Sequence, residues 1–231
     1  MRLDKFLANN TPYSRKEVKR LLRDNRVTVN ESIVRSASSN LAENDKVELD
    51  QELVEQLGPG YFMLNKPLGV VCANSDPEHE TVFDLFDSES YSGLHVAGRL
   101  DIDTTGLVLI TGDGKWSHRI TTPKFKCEKV YYAVLAEPID ERMIEKLEQG
   151  VMLQGESERT APAKVEKIAE DEIRLTITEG RYHQVKRMLA CVGNSVNELH
   201  RERIGTIQLD PNLELGEYRH LTPEEISNIQ G

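Results

Sequence analysis

The sequence predicts an α+β protein, a small cationic amino-terminal module followed by a larger body built on a mostly antiparallel sheet. Three observations carry this. Residues 1–35 hold nine Lys/Arg against four Asp/Glu, a net of +5, while the chain of 231 residues carries −10, so the remainder carries −15. Strand-like runs then follow one another without the regular helical crossovers of a doubly wound sheet. Between the two parts an acidic stretch ends in Gly58-Pro59-Gly60, a strong break that sets the domains at 1–57 and 58–231.

In the first part, Ser14-Arg15-Lys16-Glu17 reads as a capping box opening a helix. Arg15, Lys16, Lys19, Arg20 and Arg23 spread over about 140° of its arc, with Val18, Leu21 and Leu22 opposite, so one stripe buries and the other faces outward. Arg26-Val27-Thr28-Val29 alternates as a strand, Asn30-Glu31-Ser32 suits a turn, and Ile33-Val34 starts the return. In the body, strands are expected at 61–64, 70–73, 107–111, 130–135, 163–168, 172–178 and 196–200. Helices are expected at 140–149, 183–191 and 223–229, the last opening on the capping box Thr222-Pro223-Glu224-Glu225. Leu107-Val108-Leu109-Ile110, bounded by Gly106 and by Gly112-Asp113-Gly114, reads as a strand covered on both faces.

Several function classes are excluded. No apolar run approaches the ~18 residues of a membrane span, and Met1-Arg2-Leu3-Asp4-Lys5 opens no signal peptide, so a cytoplasmic protein is expected. Cys72, Cys127 and Cys191 are odd in number and widely spaced, which fits reduced thiols; Cys127 reads as a packing residue. The six histidines show no metal-ligand spacing, and there is no phosphate loop or dinucleotide fingerprint.

The most informative position is Asp101, within His95-Val96-Ala97-Gly98-Arg99-Leu100-Asp101-Ile102-Asp103-Thr104-Thr105-Gly106. Alone it reads as readily as a turn aspartate bonding its own backbone. Its companions change that. Tyr61 to Pro67 with Gly69, Gly98 to Thr111, Lys129-Val130-Tyr131, Glu179 to Met188, and Leu199, Arg201, Ile204 and Gly205 occur in an order that resembles the ribosomal RNA pseudouridine synthases. Arg2 to Leu7, Ser14-Arg15, Arg26 to Asn30 and Asn44 to Val47 resemble the S-four-type RNA-binding domain.

The resemblance implies a curved mixed sheet with a central RNA-binding cleft, and isomerisation of a uridine to its C5 glycoside. That reaction needs no cofactor and no metal. The target base must leave its stack to be reached. Asp101 is then the carboxylate, acting as nucleophile or as base. Tyr131 stacks on the uracil, its hydroxyl helping to remove the C5 proton, although a strand tyrosine also packs for its own sake. Lys186 is expected to pair with Asp101 and keep it charged. Only one of Lys186 and Arg187 can point inward. Arg99 and Thr105 are expected to support the loop or the RNA backbone, and Arg181, His183 and Gln184 to contact RNA. Lys66 packs its stem beneath the site. Arg15, Lys16, Lys19, Arg20 and Arg23 are the phosphate-contacting candidates.

The amino-terminal module, and a chain that stops soon after Gly205 without a long basic tail, favour a small-subunit enzyme acting on 16S rRNA at uridine 516. A large-subunit rRNA synthase and a non-catalytic ribosome-assembly factor are the alternatives. The intact set Asp101, Tyr131 and Lys186 speaks against the latter. No long apolar seam is visible, so a monomer is expected.

Overall fold

The computed structural model describes residues 2–11, 13, 15–42, 44–54, 60–86 and 93–229, without the side chains of 8, 9, 15 and 16. The Ser14 capping hydroxyl, the Arg15 and Lys16 side chains and the break at Gly58-Pro59 therefore lie outside the described residues. The chain divides into two compact units, 1–60 with 87–95 and 61–86 with 96–231.

In the first unit, α1 (Leu3–Asn10) and α2 (Arg15–Arg23) pack beside a four-stranded antiparallel sheet. Its strands are β1 (Val27–Val29), β2 (Ser32–Ile33), β3 (Val47–Leu49) and β4 (Glu52–Leu53), in the order β2-β1-β3-β4. Leu3, Phe6 and Leu7 of α1 and Val18, Leu21 and Leu22 of α2 fall at helical spacing and close a core on Val27 and Val47. Lys19, Arg20 and Arg23 stand exposed on α2. Two hairpins turn on Asn30-Glu31 and Asp50-Gln51, all four at positive φ, the backbone that a two-residue turn matched to strand twist requires. Ser32, expected in the turn, opens β2 instead.

The second sheet comprises β5 (Tyr61–Lys66), β6 (His95–Ala97), β7 (Thr105–Thr111), β8 (Lys129–Leu135), β9 (Lys164–Lys167), β10 (Glu172–Ile177), β11 (Val196–Ile204), β12 (Ile207–Gln208) and β13 (Tyr218–His220). Its main path is β13-β5-β7-β11-β8-β10-β9, antiparallel at every step but one: β7 and β11 run parallel. The sheet is thus mixed and mostly antiparallel. Leu107, Val108, Leu109 and Ile110 of central β7 are all sealed from solvent, each such side chain contributing about 1.5–3 kcal/mol. Met63, Leu107, Leu109, Trp116, Ile120, Cys127 and Ile204 form one core cluster, which places Cys127 in packing.

Among the described residues four α-helices accompany this sheet: α3 (Gly114–Thr121), α4 (Glu141–Glu148), α5 (Gln184–Cys191) and α6 (Pro223–Asn228), the last with the expected capping box. Two expectations need correction. Residues 70–73 form no strand; Val71 makes one isolated bridge to Thr81, while Val71 donates to Glu80 O and receives from Val82. The apolar run is there because Val70 and Cys72 pack inward, not because a ladder continues. Gly112-Asp113-Gly114, expected only as the boundary of the strand, also starts a helix absent from the expected set: Asp113 accepts from the amides of Lys115 and Trp116 and caps α3.

The parallel pair β7–β11 fixes the site. Thr105 lies opposite His200, and Gly106 opposite Arg201. Gly106 has φ +104°, and a Cβ there would sit 2.4 Å from Arg201 O. Only glycine lets the two backbones approach so closely while the preceding residues turn away as a loop.

Candidate active site

That loop, Gly98 to Thr104, opens on a cleft of about 510 Å³ lined among others by Arg99, Asp101, Thr104, Tyr131, Lys186 and Arg201. Asp101 stands at its wall with 30 % of its side chain exposed. Two groups answer its carboxylate: His183 Nε2 at 3.5 Å from Oδ1 and Lys186 Nζ at 3.7 Å from Oδ2.

Both come from the start of α5. His183 is its N-cap in the left-handed region, φ 46°, and Lys186 lies one turn further on. The adjacent cations diverge as expected: Lys186 turns to the Asp101 loop, while Arg187 binds Glu156, Gln154 O and Tyr182 O. The nearest partner of Lys186 is Asp103 rather than Asp101, however. This contact holds the Asp103 carboxyl below the usual carboxylate range. The lysine thus bridges the two acids of the Asp-x-Asp loop.

Tyr131 sits on β8, directly opposite Arg201 of β11, nearly buried. Arg201, only 2 % exposed, organises this wall. Its guanidinium donates to Leu107 O at 2.8 Å, Gly98 O at 2.7 Å, Arg99 O at 3.3 Å and the Tyr131 phenol oxygen at 3.3 Å. One side chain ties the central strand, the aspartate loop and the tyrosine together. Because Arg201 supplies the hydrogen on their bond, the Tyr131 hydroxyl proton is free to point elsewhere. Sequence reasoning noted Arg201 in the trailing motif but gave it no role.

The remaining candidates divide. Arg99 is exposed at the cleft. Thr105 lies on β7 with its hydroxyl 2.8 Å from His200 Nδ1, joining the parallel strands. Burial pushes the His200 imidazole below its ordinary value. Arg181 lines the cleft, yet its guanidinium is taken up by Glu158 O, Arg159 O and Glu179. Gln184 is buried, accepting from the Arg181 amide and donating to Glu179. Lys66 is fully buried, its ammonium donating to Pro67 O at 2.8 Å, and burial lowers its pKa. Lys129 borders the cleft beside Tyr131, but its ammonium is taken up by Ile120 O and Cys127 O. Lys19, Arg20 and Arg23 belong to the first unit.

Thr104 was missed. Thr104 borders the cleft, but its hydroxyl is sealed from solvent and has no hydrogen-bond partner among the described residues. Three residues after Asp101 on the same loop, it is a polar group left without one. Among the described residues no three His, Cys, Asp or Glu converge to hold a metal ion, and no helix is long and apolar enough to cross a membrane.

Comparison with known proteins supplies the chemistry such a cleft performs. Residues 60–191 match the family of RNA pseudouridylate synthases, and residues 1–47 match the S4 domain. Over 230 residues the chain is 54 % identical to the ribosomal small subunit pseudouridine synthase A of Escherichia coli (strain K12), covering 99 % of this chain and 100 % of that one. The protein of the same name from Haemophilus influenzae is 49 % identical over 230 residues, with 99 % of each covered. A crystal structure described as a pseudouridylate synthase superposes with a TM-score of 0.73 at 47 % identity, covering 99 % of both chains. The Asp101 motif, the cleft around it and this full-length similarity agree: the chain belongs to the RNA pseudouridylate synthases and carries an S4 RNA-binding domain at its amino terminus.

Proposed function

We propose that this enzyme isomerises a uridine of the small ribosomal subunit's 16S rRNA, position 516, in the cytoplasm and as a monomer. Residues 1–57 serve as the RNA-anchoring domain and 58–231 as the catalytic one. The observation that carries the reading is the Asp101 carboxylate, exposed at a cleft wall beside Lys186, His183 and Tyr131 in a chain of this family.

The bond from ribose C1′ to N1 breaks, the uracil turns, and a bond from C1′ to C5 forms. N1 gains a proton and C5 loses one, so the product is an isomer and no co-reactant is consumed. Asp101 acts at the ribose; attack on C1′ and proton removal both require the charged carboxylate. Lys186 holds Asp101 while Asp103 holds Lys186, so the cation stays in place before RNA arrives. Tyr131 faces the everted base, and Arg201, donating to its oxygen, directs the phenol hydrogen into the cleft. Arg181 and Gln184, both at the cleft wall, brace the loop that carries His183. Arg99 and the cations of α2, Arg15, Lys16, Lys19, Arg20 and Arg23, meet phosphates, which position RNA without reading its sequence.

The test is to incubate the protein with 16S rRNA and with small-subunit assembly particles, label pseudouridine with carbodiimide and map primer-extension stops. One new stop at the proposed position is expected. A stop only in large-subunit rRNA would move the enzyme to the other subunit, and no stop in any rRNA would refute the substrate.

A further inference from the structure

Tyr182 is the most exposed large apolar side chain among the described residues, at 73 %. Single exposed hydrophobics are ordinary, but this one differs in three respects. It lines the Asp101 cleft. Its ring lies on the imidazole of His183, centroids 3.8 Å apart and planes within 20°. His183 in turn reaches Asp101, so Asp101, His183 and Tyr182 form a continuous row leading outward from the carboxylate.

The loop beneath is anchored. The Arg181 amide is held by Gln184 at 2.8 Å, its guanidinium by Glu158 O and Arg159 O, and Tyr182 O by Arg187 at 3.0 Å. His183 holds a left-handed backbone, φ 46°, unusual for a residue with a side chain. A large ring kept in water on a fixed backbone, one face covered by an imidazole and the other open, is preorganised to receive another flat ring. Planar bases stack on such platforms whatever their sequence.

We propose that Tyr182, backed by His183, is the stacking platform for the base next to the everted uridine in the RNA strand. This rests on the reading of the cleft as the uridine site. Everting one base removes a stacking partner from its neighbour, and Tyr182 is the solvent-exposed end of the row that starts at Asp101 in the cleft. It restores that lost stack and keeps the target everted. Tyr182 is accordingly a positioning residue for RNA, not a group that touches the reacting atoms.

The experiment uses the full-length protein as wild type, Tyr182→Ala, Tyr182→Phe and Tyr182→Trp, with rRNA carrying 2-aminopurine on either side of the target uridine. Base–aromatic stacking of about 1–3 kcal/mol predicts that Tyr182→Ala raises KM on the order of tenfold, with kcat at saturation nearly unchanged. Wild type should change 2-aminopurine fluorescence at one flank, Tyr182→Ala should lose that signal, and the aromatic variants should retain both properties. Because the ring is exposed, all four proteins should melt alike. Tyr182→Ala with wild-type KM and fluorescence would overturn the platform while leaving the functional reading intact. A defect seen only on assembly particles and never on naked rRNA would assign the ring to a protein partner and overturn it too. Wild type forming no pseudouridine would instead remove the functional reading on which the platform rests.

Discussion

Arg201→Lys tests whether one guanidinium assembles the site. Lysine keeps the charge but not the fork, which reaches Leu107 O, Gly98 O, Arg99 O and the Tyr131 oxygen at 2.7–3.3 Å. A single ammonium on a different stem rejoins one of the three carbonyls, leaving two without their donor, each costing about 1–3 kcal/mol where water cannot reach. Leu107 O lies on a sealed strand, whereas Gly98 and Arg99 border the cleft, so a total of about 3 kcal/mol is expected. For a chain of this length that lowers the melting temperature by roughly 6–12 °C. The lost contacts also free the Asp101 loop and Tyr131 relative to one another. Below the melting transition, kcat should therefore fall on the order of a hundredfold, with KM less affected. Calorimetry and single-turnover pseudouridine formation read the two effects separately. Melting within about 2 °C of wild type together with near-normal kcat would refute the role given to Arg201.

Three further outcomes follow from the same geometry. Thr104→Val removes a buried hydroxyl that lacks a hydrogen-bond partner among the described residues, so stability in urea unfolding should hold or rise slightly; a loss of more than about 1 kcal/mol would show that the hydroxyl is bonded. His200 has a folded pKa depressed below 6.5 by burial, so as pH falls from 6.5 towards that value the unfolded chain binds the proton first and stability drops. His200→Gln should flatten this part of the urea-midpoint profile, and an equally steep loss in the variant would contradict the assignment. Reversing the charges of Lys19, Arg20 and Arg23 should reduce the salt slope of RNA binding by about two to three, since each phosphate released returns counterions; an unaltered slope would take α2 out of the interface.

Periodicity located most of the body, because an unbroken apolar run such as 107–110 has few places to go but a central strand. It failed where local backbone geometry decides. Val70 and Cys72 alternate as a strand would, yet what matters is where the intervening amides bond, and they bond to a loop. The helix after Asp113 was hidden because Gly112-Asp113-Gly114 is good turn chemistry and good capping chemistry at once.

In the site, the motifs' resemblance to the family brought Asp101, Tyr131 and Lys186 to one cleft, but it named Asp101 as the lysine's partner, whereas two carboxylates share that loop and Asp103 is the nearer. Arg201 was illegible for a different reason. Regular alternation puts Arg201 and Arg203 on the same face, whereas the register shift between them turns Arg201 into the wall and Arg203 out to Glu128. Thr105 and Gln184 were expected at the loop or the RNA; their hydrogen bonds run to His200 and to Arg181 and Glu179, which only the folded chain reveals.

Asp101→Asn puts the central claim to the most direct test. The substitution preserves shape and alters only the charge and nucleophilicity of one side chain at the cleft wall. Pseudouridine formation at the target should vanish while RNA affinity stays within about threefold, because phosphate contacts dominate binding. Measurable turnover by the variant, or loss of RNA affinity in step with loss of activity, would contradict the account.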